Sequence, residues 1–482
     1  MYKDVVVVGA GISGIAAGYN LNKSCPNKSF CILEGRSNLG GTWDLFKYPG
    51  IRSDSDMHTL GFRFKPWIHD KSIADGPSIL KYLNDTVNEY NLRKDILFNH
   101  KVSSANWNSD KSLWELEVLK NDVLKKMTCS FLFLCGGYFS YSKPHMPSFE
   151  NQENFNGQIV HPQFWTEDIN YSNKKVVVIG SGATAITLVP AIAKEAKHVV
   201  MLQRSPSYVV SRPSEDNINK FLKNLLPSKI TYFLIRWKNI LFQSFTFYLA
   251  RNFPKKTKKR IIDLVKKELG DDFDVEKHFK PSYKPWDQRM CLVPDSDLFK
   301  SINQKKTSVI TDEIEKFVSD GIVLKSGEKI YADMIVSATG IELNSLNDIN
   351  VKIDDKKIEA HNRLTYKGMM LSGVPNFALS FGYVNASWTL RADLTCEYVC
   401  RLINLMNKKN AVCCVPVDDK NAYGDDELID FSSGYVKRGL HMMPKQGNKA
   451  PWKNYQNYLK DIFAVRIFSI NDNNLDFYKQ KK

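Results

Sequence analysis

The chain has 482 residues, which is long for a single domain and predicts two or three domains. Hydrophobic residues make up 43% of the sequence and aromatic residues 12%, enough to bury a large core around a cofactor. The formal net charge of +15 favours anionic partners, but no nucleic-acid-binding motif accompanies it, and no apolar run approaches the roughly 18 residues of a membrane-spanning helix.

The first predicted element is a buried strand at 5–8 that leads into a glycine-rich turn at 9–14 and then a helix. Glycines in this pattern allow a tight turn, close approach of the backbone to a pyrophosphate, and close packing of helix on strand. The helix N-terminus offers amide donors to the phosphates. A second strand at 30–33 ends in a carboxylate that can accept hydrogen bonds from ribose hydroxyls, which predicts a site for FAD or NAD. The residues concerned are Gly9, Gly11, Gly14 and Glu34.

A second copy of this pattern begins with a strand at 176–179 and a turn at 180–185. Its second strand, at 199–202, leads into Arg204 and Ser205, so a cation follows where the first copy has an anion. A guanidinium can pair bidentately with a 2′-phosphate, whereas a carboxylate would repel it. The contrast predicts FAD or NAD in the first site and NADPH in the second.

Two further apolar runs, at 131–137 and 333–340, each predict a strand that ends one half of a nucleotide-binding module. The two modules are interleaved along the chain. Together these elements predict the α/β class, with two Rossmann-like dinucleotide-binding domains, for FAD and NADP, and a helical insertion. The expected boundaries are 1–145 and 341–482 for the FAD-binding domain, 146–214 and 286–340 for the NADP-binding domain, and 215–285 for the insertion.

The insertion at 215–285 is aromatic-rich and breaks the alternation of strand and helix, which predicts a mostly helical segment. Its helices are either buried against the rest of the protein or present a partly exposed apolar and basic face to a membrane. The basic run at 255–260 fits either a solvated helix face or contact with anionic lipid.

Cysteine usage and the N-terminus bear on the compartment. The nine cysteines are irregularly spaced and form no zinc pattern, so a reducing cytosol is expected and no metal site is predicted. Cys31 and Cys135 lie in apolar strand-like runs and are predicted to be core residues. No signal peptide precedes the first strand. We therefore expect a cytoplasmic protein that is soluble or peripheral at the inner face of the cell membrane.

An enzyme that binds both flavin and NADPH belongs to one of two main classes, the disulfide reductases or the enzymes that transfer oxygen. Disulfide reductases need a redox cysteine pair beside the flavin, but the segment at 39–45 has no cysteine, and Cys25 and Cys31 are poorly spaced for that role. A flavin-fold binding protein without redox activity would have no use for the second nucleotide site. Oxygen transfer is the remaining interpretation.

The segment at 155–165 resembles the FxGxxxHxxxW fingerprint of Baeyer–Villiger flavin monooxygenases and lies, as in that family, between the two nucleotide motifs. The family pattern usually continues with Pro or Asp, where this chain has Thr166. The resemblance implies that His161 couples domain motion to catalysis and is not a proton-transfer base. The fixed positions are Phe155, Gly157, His161 and Trp165.

Four longer segments, at 40–57, 286–294, 366–373 and 385–390, are similar to the mycobacterial, ethionamide-activating branch of this family. The resemblance implies that Arg289 is the active-site arginine and that Asp54 orients it. The implied FAD contacts are Ser13, Glu34, Thr42, Trp43, Asp44, Leu45, Asp54 and Val102. The implied NADP contacts are Arg52, Ser53, Asp54, Gly180, Ser181, Gly182, Ala183, Thr184, Ala185, Ile186, Arg204 and Ser205.

The implied reaction is insertion of one oxygen atom of O₂ into a ketone through a C4a-peroxyflavin, with S-oxygenation of sulfides or thioamides at the same site. A flavin monooxygenase that oxygenates only sulfur or nitrogen remains the alternative, because it shares both nucleotide motifs. We expect pocket residues from the insertion and from 385–389, and neither segment specifies the substrate.

Overall fold

Buried runs of β-branched and aromatic residues form the two main sheets of the computed structural model, which describes residues 1–417, 426–429 and 431–479. The expected FAD-binding segment 341–482 contains positions outside the described residues, namely 418–425, 430 and 480–482.

The elements follow one another along the chain in three stretches. The first comprises β1 (Tyr2–Val8), α1 (Ile12–Ser24), β2 (Phe30–Leu33), α2 (Thr42–Leu45), α3 (Met57–Leu60), α4 (Gly76–Glu89), β3 (Ile96–Leu97), β4 (His100–Asn108), β5 (Leu113–Lys120), β6 (Val123–Leu134) and β7 (Phe139–Pro144). The second comprises β8 (Gln158–Val160), β9 (Lys175–Ile179), α5 (Ala183–Ile192), β10 (His198–Gln203), β11 (Val209–Arg212), α6 (Asn217–Lys223), α7 (Ser228–Asn252), α8 (Pro254–Leu269), α9 (Val275–Phe279), β12 (Cys291–Pro294), α10 (Asp297–Asn303), β13 (Thr307–Thr311), β14 (Ile314–Val318), β15 (Gly321–Leu324), β16 (Lys329–Tyr331) and β17 (Met334–Ser337). The third comprises β18 (Ile341–Leu343), β19 (Asn350–Ile353), β20 (Lys356–Lys357), β21 (Thr365–Tyr366), β22 (Met370–Leu371), β23 (Phe377–Leu379), α11 (Trp388–Lys408), β24 (Cys413–Pro416), α12 (Gly434–Gly439), α13 (Tyr458–Ile462) and β25 (Leu475–Tyr478).

The larger sheet has, among the described residues, the strand order β20-β19-β4-β5-β6-β1-β2-β3, with β23 also paired to β6. The long strand β6 serves two neighbours in succession, because its first half pairs antiparallel with β5 and its second half lies parallel to β1. Strand β1 is buried along its second half, as its run of valines predicts. Helix α1 packs against α11 beneath this sheet.

The second sheet is entirely parallel in the described residues, with the order β13-β10-β9-β17-β8. Strand β8 falls within the fingerprint segment at 155–165, so part of that linker forms an edge strand. Both sheets carry a strand, a glycine-rich turn and a helix in direct succession. The predicted α/β class with two Rossmann-like units is confirmed.

The two chain crossings between these sheets lie side by side. Strand β7 leaves the larger sheet and β18 returns to it, and the two pair antiparallel, with Leu343 opposite Phe139. The insertion predicted at 215–285 forms α6, α7, α8 and α9, which confirms its helical character.

Each of the nine cysteines is buried and free, including Cys31 and Cys135 in the cores of β2 and the segment after β6. Among the described residues, none of the helices combines the length and the apolarity needed to cross a membrane. In that same part of the chain, no three His, Cys, Asp or Glu side chains gather as a metal ion would require.

Candidate dinucleotide and active site

Both glycine-rich turns open onto one cavity of about 1330 Å³. The carboxyl ends of β1 and β2 in the larger sheet and of β9 and β10 in the second sheet contribute to its wall. A site for one small ligand typically measures about 300–1,000 Å³, so this cavity exceeds the needs of a single ligand of that size. It has room for parts of two dinucleotides.

The first turn brings α1 close to β1. The backbone at Gly9 is left-handed, with φ of 99°, and a Cβ on Gly14 would lie 1.8 Å from the carbonyl oxygen of Gly9. The Glu34 carboxylate accepts the amide of Ala10 on Oε2 at 2.8 Å and the amide of Arg36 on Oε1 at 3.0 Å. Burial raises the pKa of Glu34, while these two bonds oppose that rise. Each oxygen keeps a free lone pair for a ribose hydroxyl.

The second turn leaves its backbone accessible. A Cβ on Gly180 would lie 2.4 Å from the carbonyl oxygen of Ala338, whereas a Cβ on Gly182 would meet no atom within 4 Å. Ala185 stands where the first turn has its third glycine and is fully buried. The open backbone at the start of α5 therefore fits the approach of a pyrophosphate to a helix N-terminus.

Two arginines approach each other near the second turn. Arg204 is exposed at the end of β10 and lines the cavity together with Arg438 of α12. Burial and the neighbouring charge of Arg204 lower the pKa of Arg438. Neither guanidinium forms an ion pair with another described residue, whereas the nearby carboxylate of Glu313 is neutralised by Lys325 at 2.5 Å. The pair of cations is therefore free to receive an anion.

Sequence patterns did not indicate Arg438, because more than two hundred residues separate it from Arg204 and it belongs to no nucleotide motif. Only the folding of the last third of the chain over the second turn brings the two together.

Arg289 and Asp54 meet inside the cavity, with Nε of Arg289 2.7 Å from Oδ2 of Asp54. About a third of each side chain, 35% and 33%, is exposed to the cavity. The carboxylate raises the pKa of Arg289 further above its usual value, so the guanidinium is always charged. The phenols of Tyr138 and Tyr435 lie beside it, and burial raises the pKa of both. This part of the site therefore holds an ion pair, formed by Arg289 and Asp54, beside two neutral phenols.

An aromatic wall supports this part of the cavity. The ring of Tyr138 stacks on Trp388, with centroids 5.2 Å apart, and the indole Nε1 of Trp388 donates to Oγ of Ser13 at 2.9 Å. The hydroxyl of Ser380 donates to the same Oγ of Ser13 at 3.0 Å, so two hydrogen bonds hold this side chain in place. Tyr138 lies in the short loop between β6 and β7, and a position just beyond the carboxyl end of a parallel strand was the signal that could have found it.

The expected pocket segment at 385–389 contributes Ala386 and Trp388 to the cavity wall. The insertion at 215–285 contributes none of the described residues that line the cavity, so the expectation that it would do so is wrong. Its helix α7 packs instead on α3, one layer behind the wall.

Most of the predicted contact residues share the cavity wall. They are Gly9, Gly11, Ser13, Glu34, Thr42, Trp43, Leu45, Arg52, Ser53, Asp54, Val102, Gly180, Ser181, Gly182, Ala183, Thr184, Arg204, Ser205 and Arg289. Four others lie behind it: Gly14, Asp44, Ala185 and Ile186. The carboxylate of Asp44 pairs with the guanidinium of Arg36, and the remaining three are buried in α1 and α5.

The fingerprint residues lie outside the cavity wall, and they are Phe155, Gly157, His161 and Trp165. Nδ1 of His161 accepts the amide of Gln163 at 3.1 Å, and its Nε2 lies 3.2 Å from the carbonyl oxygen of Gly340. The ring must therefore be neutral with its proton on Nε2, in agreement with burial, which lowers the pKa of His161. Since His161 directly follows β8 and Gly340 directly precedes β18, this contact joins the fingerprint segment to the chain that returns to the larger sheet.

Comparisons with known proteins agree with this geometry. Residues 71–371 match the family described as flavin-binding monooxygenase-like, and residues 7–70 match an NAD(P)-binding Rossmann-like domain. The sequence is 48% identical over 478 residues to the FAD-containing monooxygenase EthA of Mycobacterium tuberculosis, covering 99% of this chain and 98% of that protein. It is 46% identical over 480 residues to the probable FAD-binding monooxygenase AlmA of an Acinetobacter species, covering 99% and 96%.

Solved structures of the same fold include an oxidized steroid monooxygenase bound to NADP, with a TM-score of 0.81 at 21% identity and coverage of 99% and 100%. A cyclohexanone monooxygenase bound to epsilon-caprolactone gives a TM-score of 0.76 at 19% identity, with coverage of 99% of each chain. At these identities the likeness establishes the fold alone.

Proposed function

The chain belongs to the flavin-binding monooxygenase-like family, and on that premise we propose that it is a Baeyer–Villiger enzyme that converts ketones to esters. It is an FAD-containing monooxygenase that uses NADPH. The overall reaction consumes a ketone, O₂, NADPH and a proton and yields an ester, NADP⁺ and water. Sulfides and thioamides are further substrates that the same site would oxygenate on sulfur.

The observation that carries this proposal is the Arg289–Asp54 pair in the cavity shared by both glycine-rich turns. Oxygen insertion into a ketone passes through addition to the carbonyl, which builds negative charge on oxygen. A cation held in place before the reaction stabilises such charge without the cost of reorienting solvent. The carboxylate of Asp54 holds the guanidinium of Arg289 in one orientation.

Two parts of the cavity would hold the two cofactors. FAD fits the first turn, where Glu34 ends β2 and Ser13 is fixed at the start of α1. NADPH fits the second turn at Gly182. We assign 1–145 and 341–482 to the FAD-binding domain, 146–214 and 286–340 to the NADP-binding domain, and 215–285 to the insertion. Bound FAD and NADPH would supply the two electrons that oxygen activation requires.

The 2′-phosphate of NADPH would lie between Arg204 and Arg438. Each guanidinium can donate two parallel hydrogen bonds to a phosphate, and neither is neutralised by a described carboxylate. Because Arg438 comes from the last third of the chain, its contact would tie the NADP-binding half to the FAD-binding half when NADPH is present.

The walls and crossings would keep water from the reacting groups. Burial keeps the phenols of Tyr138 and Tyr435 neutral, so Asp54 and Arg289 are the charged groups of this part of the wall. The bond from His161 to Gly340 joins the fingerprint segment to the returning crossing and would restrict how the two sheets open and close over the cavity.

A flavin monooxygenase that oxygenates only sulfur or nitrogen is the competing proposal. Purified enzyme with NADPH should be given matched ketones, sulfides and thioamides, with products identified by mass spectrometry. Esters formed from ketones at a rate that depends on Arg289 would support the proposal. Sulfoxides or hydroxylamines without any ester would favour the competing enzyme class.

A further inference from the structure

Helix α7 (Ser228–Asn252) buries both polar and apolar side chains against the protein and also exposes a set of large apolar side chains to solvent. A helix on the surface of a protein ordinarily keeps its large apolar side chains in a stripe that faces the core and leaves polar side chains outside. The exposed apolar side chains of this helix and its neighbour α6 therefore indicate an apolar partner outside the chain.

The buried side of α7 combines apolar residues, such as Ile235 and Ile240, with polar side chains that hydrogen-bond to the protein. Arg236 donates to the carbonyl oxygens of His58 and Gly61, each at 2.7 Å, and pairs with Asp393 at 3.3 Å. One turn further on, Asn239 donates to the Asp56 carboxylate at 2.8 Å, and Gln243 reaches the same group at 3.0 Å. These bonds fix the rotation of the helix, so the outward direction of its other face is not free to change.

The outer side of α6 and α7 is lined with large apolar side chains that are between 42% and 64% exposed. We call this set the α6–α7 apolar surface. Its members are Ile218, Phe221, Leu225, Ile230, Phe233, Leu234, Leu241, Phe242, Phe245, Tyr248 and Phe253. Within α7, Ile230, Leu234, Leu241, Phe245 and Tyr248 are spaced by three, four or seven residues, which places them on one side of the helix.

Positive charge borders this surface. Helix α8 begins two residues after α7 ends, and its first two turns expose Lys255, Lys256, Lys259 and Arg260. Within the described part of the chain, none of these four side chains forms an ion pair. On the other side, the guanidinium of Arg212 lies 5.3 Å from the ring centre of Phe242.

We propose that the α6–α7 apolar surface inserts into the interfacial layer of a membrane that contains anionic phospholipid, with the basic side chains of α8 on the headgroups. An exposed apolar stripe with adjacent lysine and arginine is the arrangement by which helices lie in a bilayer interface without spanning it. The charge distinguishes this partner from a second copy of the chain, because two copies facing each other would bring like charges together. The proposal is independent of the reaction.

Vesicle co-sedimentation of the full-length, FAD-loaded enzyme tests the proposal. The vesicles consist of phosphatidylcholine, with or without phosphatidylglycerol, at low and high salt. An apolar variant carries Leu241→Ser, Phe242→Ser and Phe245→Ser. A charge variant carries Lys255→Glu, Lys256→Glu and Lys259→Glu.

The matched control replaces three apolar residues of similar exposure that lie in β6 and β16, with Val123→Ser, Leu124→Ser and Tyr331→Ser. Melting temperature and flavin absorbance show that each protein is folded.

We expect the parent and the control to bind phosphatidylglycerol vesicles, and the apolar variant to bind about tenfold or more weakly. The charge variant should lose the part of the binding that high salt removes. The proposal is overturned if the parent does not bind these vesicles, or if the apolar variant binds like the parent. It is also overturned if light scattering finds a dimer that the apolar variant abolishes, since a second copy then covers the surface.

Discussion

Replacing Arg289 by alanine should nearly abolish ester formation while leaving the protein folded. The substitution removes the cation whose Nε lies 2.7 Å from Asp54 in the cavity. Loss of one preorganised donor to developing negative charge costs about 2.7–4 kcal/mol, so kcat should fall roughly 100- to 1,000-fold. Stability should change little, because each partner is about a third exposed and such screened pairs contribute about 0–1 kcal/mol.

Asp54→Asn provides an internal comparison. Asparagine keeps the shape of the side chain but not its charge, so Arg289 stays cationic and loses its fixed orientation. We expect a smaller decrease in kcat, roughly tenfold. Since Asp54 acts through Arg289, the double variant should be no slower than Arg289→Ala alone.

The assay follows ester by mass spectrometry and, in parallel, NADPH consumption and hydrogen peroxide release. Arg289→Ala should still consume NADPH and bind FAD, with peroxide in place of ester. Arg93→Ala is the control, because that arginine packs over the ring of Phe98 outside the cavity. Ester production by Arg289→Ala at the parent rate would refute the role given to this residue.

Three further predictions concern the cofactor sites and the crossings. Arg204→Gln and Arg438→Gln should each raise KM for NADPH roughly 10- to 100-fold, because a hydrogen bond to a charged group contributes about 1.5–3 kcal/mol. KM for NADH should change little, and equal effects on both cofactors would contradict a 2′-phosphate site. Gly14→Ala should lower the FAD content and reduce the free energy of unfolding by about 1–3 kcal/mol, because its Cβ would lie 1.8 Å from a backbone oxygen. Gly182→Ala should keep the melting temperature and weaken only NADPH binding, because its Cβ would meet no atom within 4 Å. His161→Phe should destabilise the protein by about 1–3 kcal/mol. Because burial lowers the pKa of His161, this side chain contributes fully to stability above about pH 6.5, and the contribution is lost as pH falls through the folded-state pKa. The unfolding free energy of the variant should therefore depend less on pH below about pH 6.5 than that of the parent. Identical slopes in the two proteins would contradict the prediction.

Local patterns in the sequence were enough to predict the fold class and the two cofactors. The valine run of β1 and the glycines that follow it require only their neighbours in the chain to adopt a strand and a tight turn. The contrast between Glu34 and Arg204 is likewise local, because each directly follows a strand. The predicted FAD and NADPH dependence is confirmed by the family to which the chain belongs.

Features that depend on distant parts of the chain were not accessible in this way. Arg438 reaches the cavity only through the path of the last third of the chain, for which no periodic pattern exists. The insertion was expected to line the pocket, but none of its described residues reaches the cavity wall, and several of its large apolar residues are exposed while Arg236 is buried. Hydropathy along the sequence reports which residues share a helix face, not which way that face turns.

The pairing of β7 with β18 has a consequence for the evolution of this architecture. The polypeptide leaves and re-enters the larger sheet through strands that lie about 4.7–4.9 Å apart, as neighbouring strands do. Everything between them can therefore be regarded as a cassette with adjacent ends, the condition under which one folding unit is accommodated inside another. Exchange of the nucleotide-binding cassette between related chains would require only two adjacent junctions and would leave the host sheet and its register intact.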